Sequence, residues 1–220
     1  ELLIDVGCGS GSFTLASGAR GSESTGISWD KHNQEEAQTS AKYSGLQQKT
    51  KFEIVDIRKL DSHRKFENTF DICINFENIE HILDDRKLMK DIFDILKPGG
   101  LLLFTTPFYF LTPISKSDEG PFSHEENGGH VRRGYTRAML EELCSDSGFH
   151  IEKISGCSGY LSQKLTKLYR KIFIIHPLLA WIVISPFRAL PPLLDPLFRK
   201  LFGVTDYSIC MVASKPRFKP

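Results

Sequence analysis

Twelve residues near the start of the chain, Leu2-Leu3-Ile4-Asp5-Val6-Gly7-Cys8-Gly9-Ser10-Gly11-Ser12-Phe13, limit its fold more than any other stretch. An aliphatic run that ends in an acid and passes at once into alternating glycines reads as a buried parallel strand, a tight turn and the start of a helix. Glycine suits such a turn because the backbone must bend sharply and lie against a ligand with no Cβ in the way. A pyrophosphate site wants G-x-G-x-x-G, with a helix N-terminus aimed at the phosphates. Here the glycines fall as G-x-G-x-G, which points to a nucleoside ligand without phosphates.

The chain that follows alternates strand and helix signals. A first helix is expected over Phe13–Ala19, with Gly18 and Gly21 marking its end, and a second strand through Thr25–Ser28. Asp30 is placed to cap the next helix. Phe52–Arg58 reads as a third strand that passes Asp56, and Phe70–Asn75 as a fourth that runs into Phe76-Glu77-Asn78-Ile79-Glu80-His81. From Arg86 to Leu96 apolar residues recur at helical spacing behind Asp84 or Asp85, and Pro98-Gly99-Gly100 ends that helix ahead of a fifth strand, Leu101–Thr106. Pro107–Arg133 has no periodicity and reads as a long loop, a kind usually functional or disordered. A capped helix over Arg137–Ser147 and two strands, Phe149–Ser155 and Tyr207–Ala213, complete a sheet antiparallel at its edge.

The glycine stretch, with its leading L-L-I-D-V, resembles the first motif of class I S-adenosylmethionine-dependent methyltransferases, and the strand, helix, Pro-Gly-Gly and strand order is similar to the same family. The resemblance implies an α/β fold: a doubly wound, seven-stranded, mostly parallel sheet of the Rossmann-like methyltransferase kind, here with a helical insertion before the last strand. It implies S-adenosylmethionine as cofactor, with Asp5, Gly7, Gly9, Gly11 and Asn75 around it and Asp56 and Ile57 at the adenine. Members usually carry an acid at the end of the second strand for the ribose hydroxyls. Ser28 stands there instead, and Gly26-Ile27-Ser28-Trp29-Asp30-Lys31-His32-Asn33 is closer to the fatty-acid cyclopropane synthase branch, so that Ser28, Asp30 and Asn33 would share the ribose.

Methyl transfer from a sulfonium is a direct displacement, so the protein has to align donor and acceptor and, for a hydroxyl acceptor, remove a proton. Groups for this belong just beyond the fourth strand, because ligands of such sheets sit outside the carboxyl ends of the strands. Glu77, Glu80 and His81 lie there, and residues three and four apart in a helical turn share a face. The spacing E-x-x-E-H resembles that of ubiquinone-pathway O-methyltransferases and of small-RNA 2′-O-methyltransferases. In the latter it binds a divalent ion with a further histidine, for which His130 is the first candidate and His124 the second. Glu77, Glu80, His81 and His130 are therefore a candidate magnesium or manganese set. Without metal, His81 or His130 is the candidate base beside Glu80; the bland reading is that Glu80 and His81 only brace the turn.

Residues 160–203 differ from the rest. They carry Lys164, Lys167, Arg170, Lys171, Arg188, Arg199 and Lys200 against Asp195 alone, a net +6 that leaves −5 elsewhere in a chain of net +1. The apolar run from Ile172 to Ile184 is broken by His176 and Pro177, and it is shorter than the ~20 residues of a membrane span. A segment lying on a membrane surface fits this pattern; a substrate-covering lid or a homodimer face buries the same residues and stays open. The near-neutral total gives no reason to expect nucleic acid. Five scattered cysteines without C-x-x-C spacing indicate neither a disulfide framework nor zinc, and suit a reducing, cytoplasmic setting with or without membrane association. The chain begins on its first core strand, so N-terminal residues are expected to be missing from this single domain. The expected activity is O-methylation of a small or lipid-linked hydroxylated acceptor. Methyl transfer to nitrogen or carbon, and a non-catalytic nucleoside-binding protein, are the alternatives.

Overall fold

In the computed structural model, which describes residues 1–113 and 118–217, seven strands form one sheet. In chain order they are β1 (Leu2–Val6), β2 (Glu23–Ser28), β3 (Thr50–Ile54), β4 (Phe70–Phe76), β5 (Leu96–Pro107), β6 (His150–Cys157) and β7 (Ser208–Ser214). Their spatial order is β3-β2-β1-β4-β5-β7-β6; all neighbouring pairs are parallel except those that β7 makes with β5 and β6. The antiparallel strand is therefore inserted between β5 and β6, and β6 is the edge. The order reverses between β1 and β4, which opens a crevice at their carboxyl ends.

Helices α1 (Ser12–Ala19), α2 (Lys31–Tyr43), α3 (Asp85–Ile95) and α4 (Arg137–Ser147) connect the strands. The expected caps form: Asp30 accepts from the Asn33 N–H, Asp84 from Lys87 N–H and Thr136 from Met139 N–H, each satisfying a donor that the first helical turn leaves free. Gly18 lies inside α1 rather than at its end, which falls at Arg20. α3 buries Leu88, Met89, Ile92 and Ile95 against the sheet, in one core with Ile4, Val6, Cys73, Leu102 and Phe104. Cys73 and Cys144 are buried and all five cysteines are free thiols. The fifth strand starts five residues earlier than its hydrophobicity suggests, because Leu96 already pairs with Phe70 and a bulge around Pro98-Gly99-Gly100 resets the register to Ile72 opposite Leu101.

Before β7 the chain forms α5 (Tyr160–Ile175), α6 (Pro177–Ile184) and α7 (Leu190–Phe202). His176 caps α6, accepting from Leu179 N–H, and so ends one helix and starts the next. Asp195 on α7 accepts from the backbone N–H groups of Leu161 and Ser162 at 2.6 and 3.2 Å, capping α5 from another helix.

Lys215, just past β7, performs a similar task for α3. Its buried Nζ donates to the carbonyls of Phe93 and Leu96 at 2.9 and 2.7 Å and to Asn68 Oδ1 at 2.9 Å. Lys215→Met keeps the apolar stem and strands these acceptors. The expected loss is about 2–4 kcal/mol of unfolding free energy, read from urea melts at constant slope.

Candidate active site

Two cavities open at the carboxyl ends of the central strands. The first, a cleft of about 320 Å³, is lined by Gly7 and Gly9 of the β1 turn, by Ser28, Trp29, Asp30 and Asn33 after β2, and by Asp56, Ile57 and Arg58 after β3. Glu77, Asn78, His81 and Ile82 close it from the β4 side, and Glu126 and Gly128 reach it from the loop after β5. Gly7 and Gly9 have φ of +81° and +51°. A Cβ on Gly7 would strike the Asn78 side chain at 2.4 Å, whereas one on Gly9 would meet nothing within 4 Å. Gly9 therefore leaves a gap in the wall where a ligand can approach the backbone.

Three expected cofactor residues stand behind this lining. Asp5 is buried and accepts from Thr14 Oγ1 at 2.7 Å, Gly11 packs its backbone against Phe52 and Ala37, and Asn75 donates from Nδ2 to the Val6 carbonyl at 2.8 Å. They hold the turn in shape. Burial raises the Asp5 carboxyl to about 6 against the Thr14 hydrogen bond. Its proton is thus held more tightly folded than unfolded, so stability is lost as pH rises from about 4 through about 6. Relative to Asp5→Asn, the native chain is expected to lose up to about 3 kcal/mol across that window in urea melts at successive pH values.

Asp56 sits in the cleft as expected, but its carboxylate is engaged. Arg58 binds it through Nε and Nη2, both at 2.7 Å, and this holds the carboxyl below the usual range. Arg58 also reaches Glu126 at 3.1 Å and lies over the Trp29 ring. An adenine amino group would have to share Asp56 with this guanidinium. Sequence reading missed Trp29, Arg58, Asn78 and Glu126. Only Trp29, a large aromatic next to the Ser28 departure, carried a local signal.

The second cavity, about 560 Å³, is floored by Phe13, Phe76, Glu77, Glu80 and Thr105. His81 and His130 form one side, and Ser162, Gln163, Thr166 and Arg170 of α5 another. Ser162, Thr166 and Arg170 stand four residues apart, so one polar helix face lines the space. This stripe was hidden in a segment whose charge and apolar content drew attention elsewhere. Glu77 and His81 belong to both cavities, making them the shared wall.

Around that wall the chemistry is specific. Glu77 has φ of +48°, and burial raises its pKa against hydrogen bonds with Ser208 and Thr105. Glu80 is buried, accepts from Thr106 Oγ1 at 3.3 Å and is pushed to about 8 by burial and by Glu77. His81 Nδ1 lies 3.0 Å from the Gly129 carbonyl, which only accepts; Nδ1 therefore donates there, and Nε2, 3.9 Å from Glu80 Oε1, is the ring nitrogen left for other partners. The His81 and His130 rings meet edge to face at 4.7 Å, and burial followed by His81 lowers the His130 pKa. Glu80, His81 and His130 each offer a ligand atom within 4.8 Å of the others. Glu77 is outside this group and His124 is exposed and lines neither cavity, so among the described residues three of the four expected metal ligands converge.

A family model described as a methyltransferase domain matches residues 2–154, which run from β1 into β6 and include Glu77, Glu80, His81 and His130. The chain belongs to this methyltransferase family. Over 172 residues, 76% of this chain, it is 28% identical to the ubiquinone biosynthesis O-methyltransferase of Psychrobacter arcticus, of which it covers 65%. Over 106 residues, 47% of this chain, it is 31% identical to the Ruegeria pomeroyi enzyme of the same name, of which it covers 40%. The chain thus spans less than two thirds of the length of either of these two relatives. The methyltransferase fold recurs in phosphoethanolamine N-methyltransferase 2 of Haemonchus contortus in complex with S-adenosyl-L-methionine, at 18% identity and TM-score 0.69 over 98% of this chain and 49% of that one. The [4+2]-cyclase SpnF shares it at 20% identity and TM-score 0.68 over 98% and 74%. Both of these structural likenesses establish the fold alone.

Proposed function

We propose that the protein binds S-adenosylmethionine in the first cleft and transfers its methyl group to a hydroxyl oxygen of a small or lipid-linked acceptor in the second. One observation carries this reading: the two cavities meet at a wall made of Glu77 and His81, where a sulfonium methyl and an acceptor oxygen can face each other. The first cleft fits an adenosyl group by its chemistry. Gly9 leaves space against the backbone, Asn78 Nδ2 is buried with no hydrogen-bond partner, and Ser28, Asp30 and Asn33 offer polar groups for a ribose. The likeness to curated O-methyltransferases supports an oxygen acceptor.

In the transfer, a lone pair of the acceptor oxygen forms a bond to the methyl carbon as the carbon–sulfur bond breaks, and the sulfonium keeps that pair as a neutral thioether. The acceptor proton goes to a base. His81 suits this best, since the Gly129 carbonyl takes up Nδ1 and leaves Nε2 as the nitrogen that can receive a proton, and the ring stands in both cavities. His130, kept neutral by burial, is next to it. Glu80, protonated at neutral pH, takes no proton there and braces the turn through Thr106.

A divalent ion is the second reading, favoured by the convergence of Glu80, His81 and His130. One carboxylate and two imidazoles suit manganese better than magnesium. Chelation that leaves turnover unchanged rules it out. The oxygen acceptor is tested by supplying S-adenosylmethionine with a prenylated catechol and, separately, its amine analogue, and measuring S-adenosylhomocysteine formed. Turnover of the catechol alone supports the reading; preference for the amine moves the activity to nitrogen.

A further inference from the structure

The three helices before β7 bury few of their apolar side chains. Of the 24 large hydrophobic residues that are exposed among the described residues, 15 lie between Tyr160 and Phe202. Ile174 and Ile175 are 86% and 79% exposed, and Leu193 is 72%. On α6 only Ala180 and Ile184 are buried; Leu178, Trp181 and Ile182 face outward. A water-facing surface of this kind marks an interaction site.

Its charges identify the partner. Asp195, the one acid of residues 160–203, is spent inside the fold on the α5 N-terminus. Arg199 pairs with Asp206 at 2.8 Å. The other six cations, Lys164, Lys167, Arg170, Lys171, Arg188 and Lys200, have no carboxylate partner among the described residues. The charge exposed by the segment is thus entirely positive. A symmetric dimer through this face would bring two copies of the same positive patch together, since such an interface joins identical patches. An anionic bilayer instead satisfies both features at once, taking aromatic and aliphatic side chains into the headgroup boundary and cations onto its phosphates.

We propose that α5, α6 and α7 form a docking platform for anionic phospholipid membranes, lying on the surface rather than spanning it. No single helix among the described residues is long and apolar enough to cross a bilayer; the pair Pro177–Phe187 and Leu190–Phe202 passes only together, with a 62° bend between them. The platform deepens the proposed function and rests on it in one respect. α5 is both part of the platform and the polar wall of the second cavity, through Ser162, Thr166 and Arg170. Docking would therefore set the acceptor cavity beside the lipid surface, where a lipid-linked hydroxyl is presented.

The test is co-sedimentation of the full chain with vesicles of phosphatidylcholine alone and with phosphatidylglycerol added, at low and high salt. Binding is expected to the anionic vesicles only, and to fall as salt is raised. Lys167→Glu/Lys171→Glu is expected to weaken it about fivefold for each cation removed. Ile174→Ser/Ile182→Ser should weaken it as well, with S-adenosylhomocysteine affinity retained in both variants as proof of folding. In a Trp29→Phe background, Trp181 fluorescence should be quenched by spin-labelled lipid. The proposal is overturned if folded native protein stays in the supernatant, if binding ignores lipid charge, or if sedimentation velocity shows a dimer that the Ile174→Ser/Ile182→Ser change dissolves. Failure of the methyltransfer reading shows separately, as absence of cofactor binding with membrane binding intact.

Discussion

His81→Gln is expected to lower kcat for an oxygen acceptor by about 10²–10⁴-fold, the range a positioned general base contributes. Glutamine fills a similar volume and can still donate to the Gly129 carbonyl, which His81 Nδ1 approaches at 3.0 Å, but it offers no basic nitrogen in place of Nε2. S-adenosylhomocysteine affinity should change by less than about threefold, because the interaction removed is made to the moving proton and not to the cofactor. The check is a full kinetic comparison with calorimetric titration of both proteins. A proportional loss of affinity and kcat would instead assign His81 to holding the turn.

The second large effect is at the glycine turn. Gly9→Arg is expected to weaken S-adenosylhomocysteine binding by at least about 100-fold, since its side chain would project where no protein atom lies within 4 Å and occupy the space left for a ligand. The backbone at φ +51° adds about 1–2 kcal/mol of strain. Gly45 supplies the control: it has φ of +68° and open surroundings, but lies outside the cleft. Gly45→Arg should cost similar stability in thermal melts and leave binding intact. Equal loss in both variants would show that strain, and not occupation of the cleft, was being measured.

What could be read from the sequence was local. Alternating glycines after an aliphatic strand, a capping Asp30 or Thr136 and the close spacing of Glu77, Glu80 and His81 each act over a few residues, and periodicity exposes them. The position of β7 between β5 and β6 depends on pairing with β5 across more than 100 residues of chain and with β6 across more than 50, and no local signal carries it. The same holds for Lys215, whose partners Asn68, Phe93 and Leu96 are distant in sequence. The cleft illustrates both sides. Ser28, Asp30 and Asn33 were legible because they follow one strand, whereas Glu126 on Arg58 joins the segment after β3 to the long loop after β5. His130, ranked ahead of His124 in the sequence, is the histidine that the loop brings beside His81.

In the proposed reaction, the wall shared by the two cavities is where a methyl group passes from sulfur to oxygen. The most direct measurement supplies S-adenosylmethionine labelled with ¹³C at its methyl, together with a prenylated catechol in phosphatidylglycerol vesicles, and follows the label by NMR. The predicted result is a methoxy carbon formed in step with S-adenosylhomocysteine and suppressed in both Gly9→Arg and His81→Gln. A label that arrives on carbon, or a methoxy product formed equally well by the His81→Gln protein, would contradict it.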